Sequence, residues 1–541
     1  MSNRGPDRRT FLRAGAGGVG VAALAAAGCA PEFVAPPNGT PFTLGVMSGL
    51  HSHEAVVLWT RLEPSLAPGV DSLDWVLSTS SDLTRPVAGG TVAVGQSGDF
   101  TAKVLVDRLD PGHEYWYRFE ATRPPSGRVL APSPVGRART LPSPGSSPGR
   151  VRLAFASCQN WGYGWYNAWD AIATDDLDAV VFLGDYIYET TSFALTSVRK
   201  DPLGTVSTLD GYRAKYRLYR SDPSLQAGHA AHPFVPIWDD HEFHDGYNRL
   251  DVEGDPLRAA AAYRAWFEYM PVWPIDGTRI YRNLRWGSLA NLSLLDTRQY
   301  RDRQANGFQG PGSEPFVGAG QTIVEAAQPG RTILGATQRD WLYGQLEEAQ
   351  AAGVPWKLIG NQVMIAPLRG LDFDSPDFRR FFPDGPPHDG VYFGMDSWQS
   401  YLWERDQVLG YLADRGIENV SFMTGDIHSF WQMTMRADMD DERSPRVANE
   451  FVTGSISSPG VNVIDNDDLA NLVESAAAQW VPAFNYTDHH HNGYGIVDAR
   501  PDAMSVTYRT TKVRERGVGV RSSMRFDLQV GEPTVTLTRV G

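Results

Sequence analysis

The run WDDHEFHDGYN, from Trp238 to Asn248, concentrates side chains that could bind metal ions and transfer protons. Residues 239–242 supply two aspartates, a histidine and a glutamate in succession, and the apolar segment FVPIW comes directly before them. We interpret that segment as a buried strand. Carboxylates crowded at the end of a strand repel one another strongly unless a cation neutralises them. The run therefore predicts a metal-centred hydrolytic site, with an acidic surface turn as the alternative.

The same arrangement recurs where other strand-like segments end. In open α/β sheets, ligands bind outside the carboxyl ends of the strands, so residues that follow different strands can meet at one edge. We therefore expect the WDDHE run to face the polar residues that follow five other segments. These are Cys158, Gln159 and Asn160 after AFAS, Asp185, Tyr186, Tyr188 and Glu189 after VVFLG, Asp296 and Arg298 after LSLL, Asn361 and Gln362 after KLIG, and Asp426 and His428 after SFMTG.

The predicted ligands are of mixed type, which narrows the choice of metal. A thiolate, three carboxylates and an imidazole do not resemble a structural zinc site. Tyr188 is either a further ligand or a packed aromatic. Tyrosine binds Zn²⁺ or Mg²⁺ poorly because its pKa of about 10 keeps it protonated, whereas Fe³⁺ can displace that proton. Oxygen-rich positions suit Ca²⁺, Mg²⁺ or Mn²⁺. The sequence thus predicts a mixed metal cluster with one ferric ion, held by Cys158, Asp185, Asp240, Asp426 and His428.

The composition fits a globular protein of more than one domain. The chain has 541 residues, of which 42% are hydrophobic and 21% charged, and one hydrophobic core rarely serves so long a chain. Its formal charge of −14 disfavours nucleic acids and anionic membranes as partners. An acidic chain also suits a protein that holds divalent or trivalent cations.

Residues 1–29 have the pattern of a twin-arginine export signal. Arg8 and Arg9 in DRRTFLR precede an apolar run rich in glycine and alanine, from Ala14 to Ala27. An ordinary secretory signal or a membrane helix is the alternative, but the run is weakly apolar and short for a bilayer span. Cys29 in AAGCA is either the lipid-modified residue of a lipoprotein or unmodified. We expect a protein exported by the twin-arginine machinery, and hence secreted, periplasmic or at the cell surface.

The rest of the chain divides by its hydrophobic pattern. Residues 30–41 are proline-rich and predict a tether. Residues 42–141 contain short alternating segments separated by glycine, proline and aspartate, which predict a β-sandwich of the immunoglobulin or fibronectin type. Residues 142–150 have the composition of a linker. From 151 to 541, strand-like and helix-like segments alternate, which predicts a layered α/β catalytic domain.

Three segments of this domain carry helix signals. Residues 256–270 begin with a proline, which favours the first turn of a helix. The segment from Thr337 to Gln350 begins with a threonine and has an aspartate three residues later, close to a capping box. The segment from Ser397 to Gly416 ends at a helix-stopping glycine. The stretch from Gly307 to Gly330 is rich in glycine and proline, and we predict a loop there.

Taken together, several motifs resemble one family. FASCQN, FLGDYIYE, WDDHEF, LDTRQYRD, GNQVM, TGDIHSFW and EFVTGSISSPG are similar to motifs of the PhoD-like alkaline phosphatase/phosphodiesterase family of the metallophosphoesterase superfamily. FTLGVMSGLHSHEAVVLWTRLEP and LDPGHEYWYRFEA resemble the leading β-sandwich domain of that family. The resemblance covers the chain from about residue 42 onward. It implies a calcineurin-like core of two mixed sheets flanked by helices, a four-layer α/β/β/α domain.

The resemblance also implies an assignment of the ligands. Cys158, Asp185 and Tyr188 would hold Fe³⁺, and Ca²⁺ ions would lie nearby, with Mg²⁺ or Mn²⁺ as alternatives. Asp185 would bridge two metals. The cluster would be completed by three further ligands, Asp240, Asp426 and His428.

Catalytic and binding roles follow for a few other residues. His241 occupies the position of the catalytic histidine of metallophosphoesterases, and it would protonate the leaving oxygen or hold the phosphate. Asp240 would be a second catalytic residue, in addition to its role as a ligand. Arg298 would bind phosphate through its forked guanidinium, with a salt bridge to Asp296 as the alternative. Many members of the family carry asparagine after the WDDHE run where this chain has Asp245, which we expect to be an additional oxygen ligand.

The resulting hypothesis is a secreted phosphatase that hydrolyses phosphate monoesters, diesters or both through a metal-activated water at an Fe³⁺/Ca²⁺ cluster. The substrate would be a small phosphate ester, a nucleotide or a phospholipid. Two alternatives remain open: a phospholipase D-type phosphodiesterase on the same cluster, and a non-catalytic cell-surface binding protein with a decayed hydrolase domain. The histidine run from Asp488 to His491 is either a metal or phosphate contact or a polar loop.

Overall fold

The computed structural model describes residues 39–123, 126–191, 197–306, 308–309, 315–373, 379–380, 388–460, 467–480 and 483–540. The predicted export signal, including Cys29, and residues 30–38 of the predicted tether lie outside the described residues. Within the described part of the chain, no helix combines the length and the apolar character needed to cross a membrane.

The N-terminal part of the chain forms strands over the segments with alternating patterns. A four-stranded sheet has the order β4-β3-β6-β9, and β1, β2 and β5 lie next to one another in a second sheet. Leu58 and Val106 from one sheet, and Leu77, Tyr117 and Phe119 from the other, belong to a shared hydrophobic core, as in a β-sandwich. The strands are β1 (Val46–Leu50), β2 (Val56–Arg61), β3 (Ser72–Ser78), β4 (Pro86–Ala93), β5 (Thr101–Val106), β6 (Glu114–Glu120), β7 (Thr122–Arg123), β8 (Arg128–Val129) and β9 (Gly136–Arg139).

Strands and helices alternate in the remainder of the chain. Two single-turn 3₁₀ helices also occur, at Gln96–Gly98 and Trp398–Ser400. The helices are α1 (Asn167–Ile172), α2 (Leu209–Arg220), α3 (Pro223–Ala231), α4 (Arg249–Gly254), α5 (Pro256–Tyr269), α6 (Gln321–Ala326), α7 (Ala336–Ala351), α8 (Leu402–Asp414) and α9 (Asp467–Trp480). The strands are β10 (Val151–Ala156), β11 (Ala179–Phe182), β12 (Phe234–Pro236), β13 (Arg282–Trp286), β14 (Ala290–Leu294), β15 (Phe308–Gln309), β16 (Pro315–Ala319), β17 (Trp356–Asn361), β18 (Arg369–Asp372), β19 (Gly390–Phe393), β20 (Val420–Thr424), β21 (Phe430–Arg436), β22 (Arg446–Val452), β23 (Phe484–Asp488), β24 (Asn492–Ala499), β25 (Ala503–Thr511), β26 (Arg521–Gln529) and β27 (Glu532–Arg539).

Two large mixed sheets form the centre of the molecule. The first has the order β27-β26-β25-β24-β10-β11-β12-β1-β2-β5, and the second has the order β13-β14-β17-β20-β22-β21-β23. Phe155 and Val181 from the first sheet belong to the same buried core as Leu358 and Met423 from the second, so the two sheets pack face to face. Helices α7 and α8 pack on the other face of the second sheet. Leu346 of α7, Leu409 of α8 and Ile359 of β17 belong to one hydrophobic core. A smaller sheet has the order β15-β16-β19-β18.

The first large sheet runs through both predicted domains. Strand β1 pairs in parallel with β12, with Gly49 opposite Phe234. A side chain at Gly49 would begin 1.9 Å from the carbonyl oxygen of Pro271, so this close approach requires glycine. Across the same boundary, Trp59 donates from Nε1 to the carbonyl oxygen of Glu268 at 2.8 Å. The two parts on either side of residues 142–150 are therefore joined by a shared sheet and not only by the linker.

Local sequence signals were wrong at two places. The predicted loop at 307–330 contains β16 and α6 in its described part. The segments between its glycines are too short to show a periodic hydrophobic pattern. Their structure depends on contacts with distant residues, since β16 pairs with β19. Helix α7 begins at Ala336, after Gly335 with φ of 73°, and no side chain caps it. The capping box proposed at Thr337 is therefore absent.

Candidate metal centre

The ends of six strands meet at one edge of the two large sheets. Strands β10, β11 and β12 are parallel neighbours in the first sheet, and β14, β17 and β20 are parallel neighbours in the second. The turns that follow these strands contact one another across the two sheets. A side chain at Gly425, after β20, would begin 2.5 Å from Ser157 Oγ, after β10. The residues that follow these strands are thereby brought to a common region.

Four of the predicted ligands have left-handed backbone conformations. The φ angles are 60° at Cys158, 56° at Asp185, 67° at Asp426 and 59° at His428. This region is unfavourable for residues with a Cβ atom, at a cost of about 1–2 kcal/mol each, and such residues concentrate at functional sites. Sharp turns at the strand ends thus carry four of the residues predicted to bind metal.

Three groups of side chains bring potential ligand atoms within 4.8 Å of one another. Asp185 belongs to two of these groups and Asp240 belongs to two, so the groups are continuous. The groups are Cys158, Asp185 and His428; Asp185, Asp240 and His241; and Asp239, Asp240 and Asp426. We call these seven residues together with Tyr188 the donor cluster.

Tyr188 contacts the first group rather than serving only as a packed aromatic. Its Oη lies 3.0 Å from His428 Nε2 and 2.7 Å from Ser458 Oγ. His428 donates from Nδ1 to the carbonyl oxygen of Pro459 at 2.7 Å, so its Nε2 presents a lone pair toward Tyr188. Burial lowers the pKa of His428 to about 4, which keeps the imidazole neutral, the form that binds metals.

The electrostatics of the donor cluster indicate a shortage of positive charge. Burial, and then the neighbouring Asp185, raise the pKa of Cys158 well above its ordinary value. Burial likewise raises the pKa of Asp185 well above its ordinary value and that of Asp426 to about 7. Asp239 Oδ2 and Asp240 Oδ1 are buried and have no hydrogen-bond partner among the described residues. Buried, unpaired carboxylate oxygens of this kind fit a site for cations.

Glu242 organises the backbone around the donor cluster, a role that the sequence did not reveal. Its carboxylate accepts hydrogen bonds from the backbone nitrogens of Asp185 at 3.0 Å, Tyr186 at 2.6 Å and Asp239 at 2.8 Å. The turns after β11 and β12 are therefore joined through one side chain. The only signal in the sequence was its place within the WDDHE run.

His241 is held by Glu189, which the sequence placed at a strand end without assigning a role. His241 Nδ1 lies 2.7 Å from Glu189 Oε2, and the backbone nitrogen of Asp245 donates to Glu189 Oε1 at 3.2 Å. Burial lowers the pKa of His241, but Glu189, Asp185 and Asp240 outweigh it and raise that pKa well above its ordinary value. The imidazole is thus fixed at Nδ1, and its Nε2 lies 3.8 Å from Oδ1 of Asp245, whose side chain is 55% exposed.

Arg298 has neither of the two roles expected for it. Its side chain is 0% exposed, and Nε, Nη1 and Nη2 all contact carboxylates, so no part of the fork is left for a phosphate. The side chain of Asp296 accepts from the backbone nitrogen of Arg298 at 3.1 Å and from Trp238 Nε1 at 3.1 Å, but Asp296 is not among the ion-pair partners of the guanidinium. The alternative of a salt bridge to Asp296 was therefore wrong. The guanidinium instead contacts the carboxylates of Asp239, Asp240, Asp396 and Asp426.

The remaining candidates lie outside the donor cluster. Asp245, expected as an oxygen ligand, has a side chain that is 55% exposed and lies 3.8 Å from His241 Nε2, and it joins none of the three groups. The next residue, Gly246, has a left-handed φ of 66° and donates from its backbone nitrogen to Asp240 Oδ2 at 2.8 Å. Gln362 joins two strand ends by donating to the carbonyl oxygens of Trp238 and Leu295, both at 2.9 Å.

The histidine run has contacts typical of a polar turn. Asp488 accepts from His491 Nδ1 at 2.9 Å and from the backbone nitrogen of His490 at 2.8 Å. His489 is buried, with its ring 5.0 Å from that of Trp431. None of these residues belongs to a group of close metal-ligating atoms in the described part of the chain.

Comparison with known proteins identifies the class of enzyme and then the family. The family model described as PhoD-like phosphatase matches residues 153–508. The family model described as the N-terminal domain of PhoD-like phosphatase matches residues 28–142. The chain therefore belongs to the PhoD-like phosphatase family. It is 33% identical to alkaline phosphatase D of Bacillus subtilis (strain 168), over 97% of this chain and 88% of that protein.

A solved structure supports the same conclusion. The chain matches a structure described as that of PhoD with a TM-score of 0.78 and 31% identity, over 95% of this chain and 94% of the other. The predicted family, the predicted fold class and the prediction of a phosphatase-type enzyme are thereby confirmed.

Proposed function

We propose that this chain is an exported, metal-dependent phosphatase that hydrolyses phosphate monoesters, phosphate diesters or both. The observation that carries the proposal is the sharing of Asp185 and Asp240 between adjacent groups of ligand atoms. Shared carboxylates are the usual means of holding two cations a few ångströms apart, which is the arrangement of two-metal phosphatases. Membership of the phosphatase family supports the reaction class.

The donor cluster fits the metals expected from the sequence. Cys158, Asp185 and Tyr188 would hold Fe³⁺, because thiolate and phenolate oxygen suit a trivalent ion, and His428 adjoins them. Asp240 and Asp426, with Asp185, would hold Ca²⁺, or Mg²⁺ or Mn²⁺ in its place. Such ions supply two effects: they neutralise the charge of a phosphoryl group, and they make water more acidic.

The residues of the chain supply the other parts of the mechanism. His241 has its Nε2 near the exposed Asp245, and from that nitrogen it would donate a proton to the oxygen of the leaving alcohol. Glu189 orients the ring by holding Nδ1 at 2.7 Å. Glu242 fixes the turns that carry Asp185 and Asp239. The catalytic group and the ligands are therefore held by separate buried glutamates, which limits their motion relative to one another.

Metal analysis and turnover together test this proposal. Protein purified without chelators should contain iron and calcium, and it should hydrolyse 4-nitrophenyl phosphate or its diester. Asp185→Asn should lose both metal and turnover, because it removes the ligand that two groups share. Asp340→Asn, at an exposed position of α7, is the matched control and should keep both. Retained metal and activity in Asp185→Asn would refute the bridging role, and preferential turnover of phosphatidylcholine would favour the phospholipase D-type alternative.

Export is proposed from the N-terminal sequence alone. We infer that the twin-arginine machinery exports the chain, and that Cys29 is a candidate for lipid modification. Replacing Arg8 and Arg9 with lysine should leave the enzyme in the cytoplasm, whereas Arg4→Lys should not. Labelling with a radioactive fatty acid, compared between the wild type and Cys29→Ser, would show whether the cysteine carries lipid. Unchanged export of the double lysine variant would refute the proposed pathway.

A further inference from the structure

Arg298 gathers carboxylates from three separate segments of the chain. Its Nη2 lies 3.0 Å from Asp426 Oδ1, and its Nη1 lies 3.6 Å from Asp240 Oδ2. Nε contacts Asp239 Oδ1, and Nη1 contacts Asp396 Oδ2. Asp239 and Asp240 follow β12 of the first sheet, whereas Arg298 follows β14 and Asp426 follows β20 of the second. One buried guanidinium thus links the acidic ends of both sheets.

Arg298 holds carboxylates of the donor cluster by one oxygen and leaves the other free. Asp239 receives Nε on Oδ1, while its Oδ2 is buried without a hydrogen-bond partner among the described residues. Asp240 faces Arg298 with Oδ2, which also accepts from the backbone nitrogen of Gly246 at 2.8 Å, while its Oδ1 has no such partner. The unpartnered oxygens are therefore on residues of the third group of ligand atoms.

The shape of the guanidinium suits this role. Arginine is a planar fork with donors in several fixed directions, whereas lysine is a single point charge on a flexible chain. Four carboxylates in a buried site would repel one another strongly without a positive charge between them. Arg301, also fully buried, pairs with Asp396 at 2.8 Å but does not contact the donor cluster in the structure. A substitution at Arg301 can therefore serve as the control for the same substitution at Arg298.

We propose that Arg298 is a built-in cation that positions Asp239, Asp240 and Asp426 for metal binding. It acts through these carboxylates and does not touch the substrate, so it is a positioning residue. The acidic half of the donor cluster is then assembled before any metal binds. This inference rests on the proposed metal-dependent function of the same site.

Calcium affinity of the Arg298→Lys variant tests the proposal. Lysine keeps the charge but cannot bond several carboxylates at fixed angles, so Ca²⁺ binding to the chelator-treated protein should weaken about 10- to 100-fold, as when other groups that orient metal ligands are replaced. Titration calorimetry measures the affinity, and circular dichroism and the melting temperature report the fold. Arg301→Lys is the matched control. It should bind Ca²⁺ with the affinity of the wild type, because Arg301 contacts Asp396 and the carbonyl oxygen of Tyr247 instead of the ligands.

Several outcomes would overturn the proposal. Wild-type affinity in folded Arg298→Lys would do so, as would an equal loss in Arg301→Lys. If Arg298→Lys does not fold, the pair Asp239→Asn with Arg298→Met removes one charge of each sign, and it should fold and bind Ca²⁺ more weakly than Asp239→Asn alone. An affinity equal to that of Asp239→Asn alone, or failure of the pair to fold even in saturating Ca²⁺, would also exclude the positioning role. Absence of metal binding in the wild type would instead refute the proposed function itself.

Discussion

Glu189 and His241 form a buried pair in which the carboxylate Oε2 lies 2.7 Å from the imidazole Nδ1. Glu189 is 3% exposed and His241 is 16% exposed, so the pair is enclosed on the side of the glutamate and more open on the side of the histidine. A carboxylate that holds one ring nitrogen fixes the orientation of the other. This geometry is the basis for assigning proton donation to His241.

Replacement of either member of this pair should slow turnover by different amounts. His241→Ala should lower kcat about 10²- to 10⁴-fold, the usual contribution of a general acid or base. Glu189→Gln should lower kcat less, since the amide can still hold the ring in one of its orientations. Steady-state kinetics with phenyl phosphate and 4-nitrophenyl phosphate would measure both.

The choice of substrate provides the internal control for that prediction. Phenolate is a poorer leaving group than 4-nitrophenolate, so proton donation matters more for phenyl phosphate, and the loss in His241→Ala should be larger on that substrate. Equal losses on the two substrates would show that His241 does not protonate the leaving oxygen.

The two cysteines of the chain should differ in their effect on iron. Cys158→Ser removes a buried thiol that lies in the first group of ligand atoms, so the purified protein should lose iron while keeping calcium. Cys29→Ser, in the predicted export signal, should leave the iron content unchanged. Elemental analysis of the two variants in parallel is the measurement. Iron at the wild-type level in Cys158→Ser would remove the thiolate from the proposed site.

Asp245→Asn should affect substrate binding and leave the metals in place. The Asp245 side chain is 55% exposed and lies outside the three groups of ligand atoms, so metal content should match that of the wild type. Loss of a negative charge 3.8 Å from His241 should lower KM for an anionic ester, and added salt should reduce the difference. If Asp245→Asn instead loses calcium, Asp245 is the oxygen ligand that the sequence suggested.

His229 should limit the stability of the protein in acid. Its ring lies 4.8 Å from that of Phe234, and neither ring nitrogen has a hydrogen-bond partner among the described residues. Burial, and then the positive charge of Arg220, lower the pKa of His229 well below its ordinary value of 6.5. The unfolded chain therefore binds a proton that the folded chain excludes, so the free energy of unfolding should decrease as the pH falls below 6.5.

His229→Phe would remove that dependence. The variant should gain about 1 kcal/mol in the free energy of unfolding at neutral pH, because a buried unpaired polar group is lost. The gain should grow by up to about 1.4 kcal/mol for each further pH unit below 6.5. Urea titrations at several pH values measure it, with exposed His113→Phe as the control. An equal gain at neutral and acidic pH would show that the ring titrates normally.

The convergence of the strand ends could be predicted from the sequence because parallel strands share an edge. Cys158, Asp185, Asp240 and Asp426 each follow a short, strongly apolar segment, and such segments are recognisable without a structure. The presence of two mixed sheets could not be derived from periodicity and came from the family resemblance, and the order of the strands within them was not predicted. The mixed chemistry of the donors was also visible in the sequence, since it depends on residue type alone.

The arrangement around Arg298 could not be predicted in the same way. Asp396 follows β19 of the small sheet, in a segment whose pattern carries no sign that it contacts a residue 98 positions earlier. Asp296 is the acidic residue closest to Arg298 in the sequence and was the alternative partner, whereas the charges that surround a buried guanidinium are determined by packing between distant elements. Glu189 was seen at its strand end, but its contact with His241 spans 52 residues.

The parallel pairing of β1 with β12 has a consequence for any shortened form of this enzyme. Strand β12 leads directly into the WDDHE run, and β1 covers the side of β12 that β11 leaves open. A fragment beginning at residue 151 would present that side as a bare edge, and bare edges recruit other chains into aggregates. The N-terminal part therefore shields the strand that leads to His241, the proposed proton donor, and we expect the rest of the enzyme to aggregate without it.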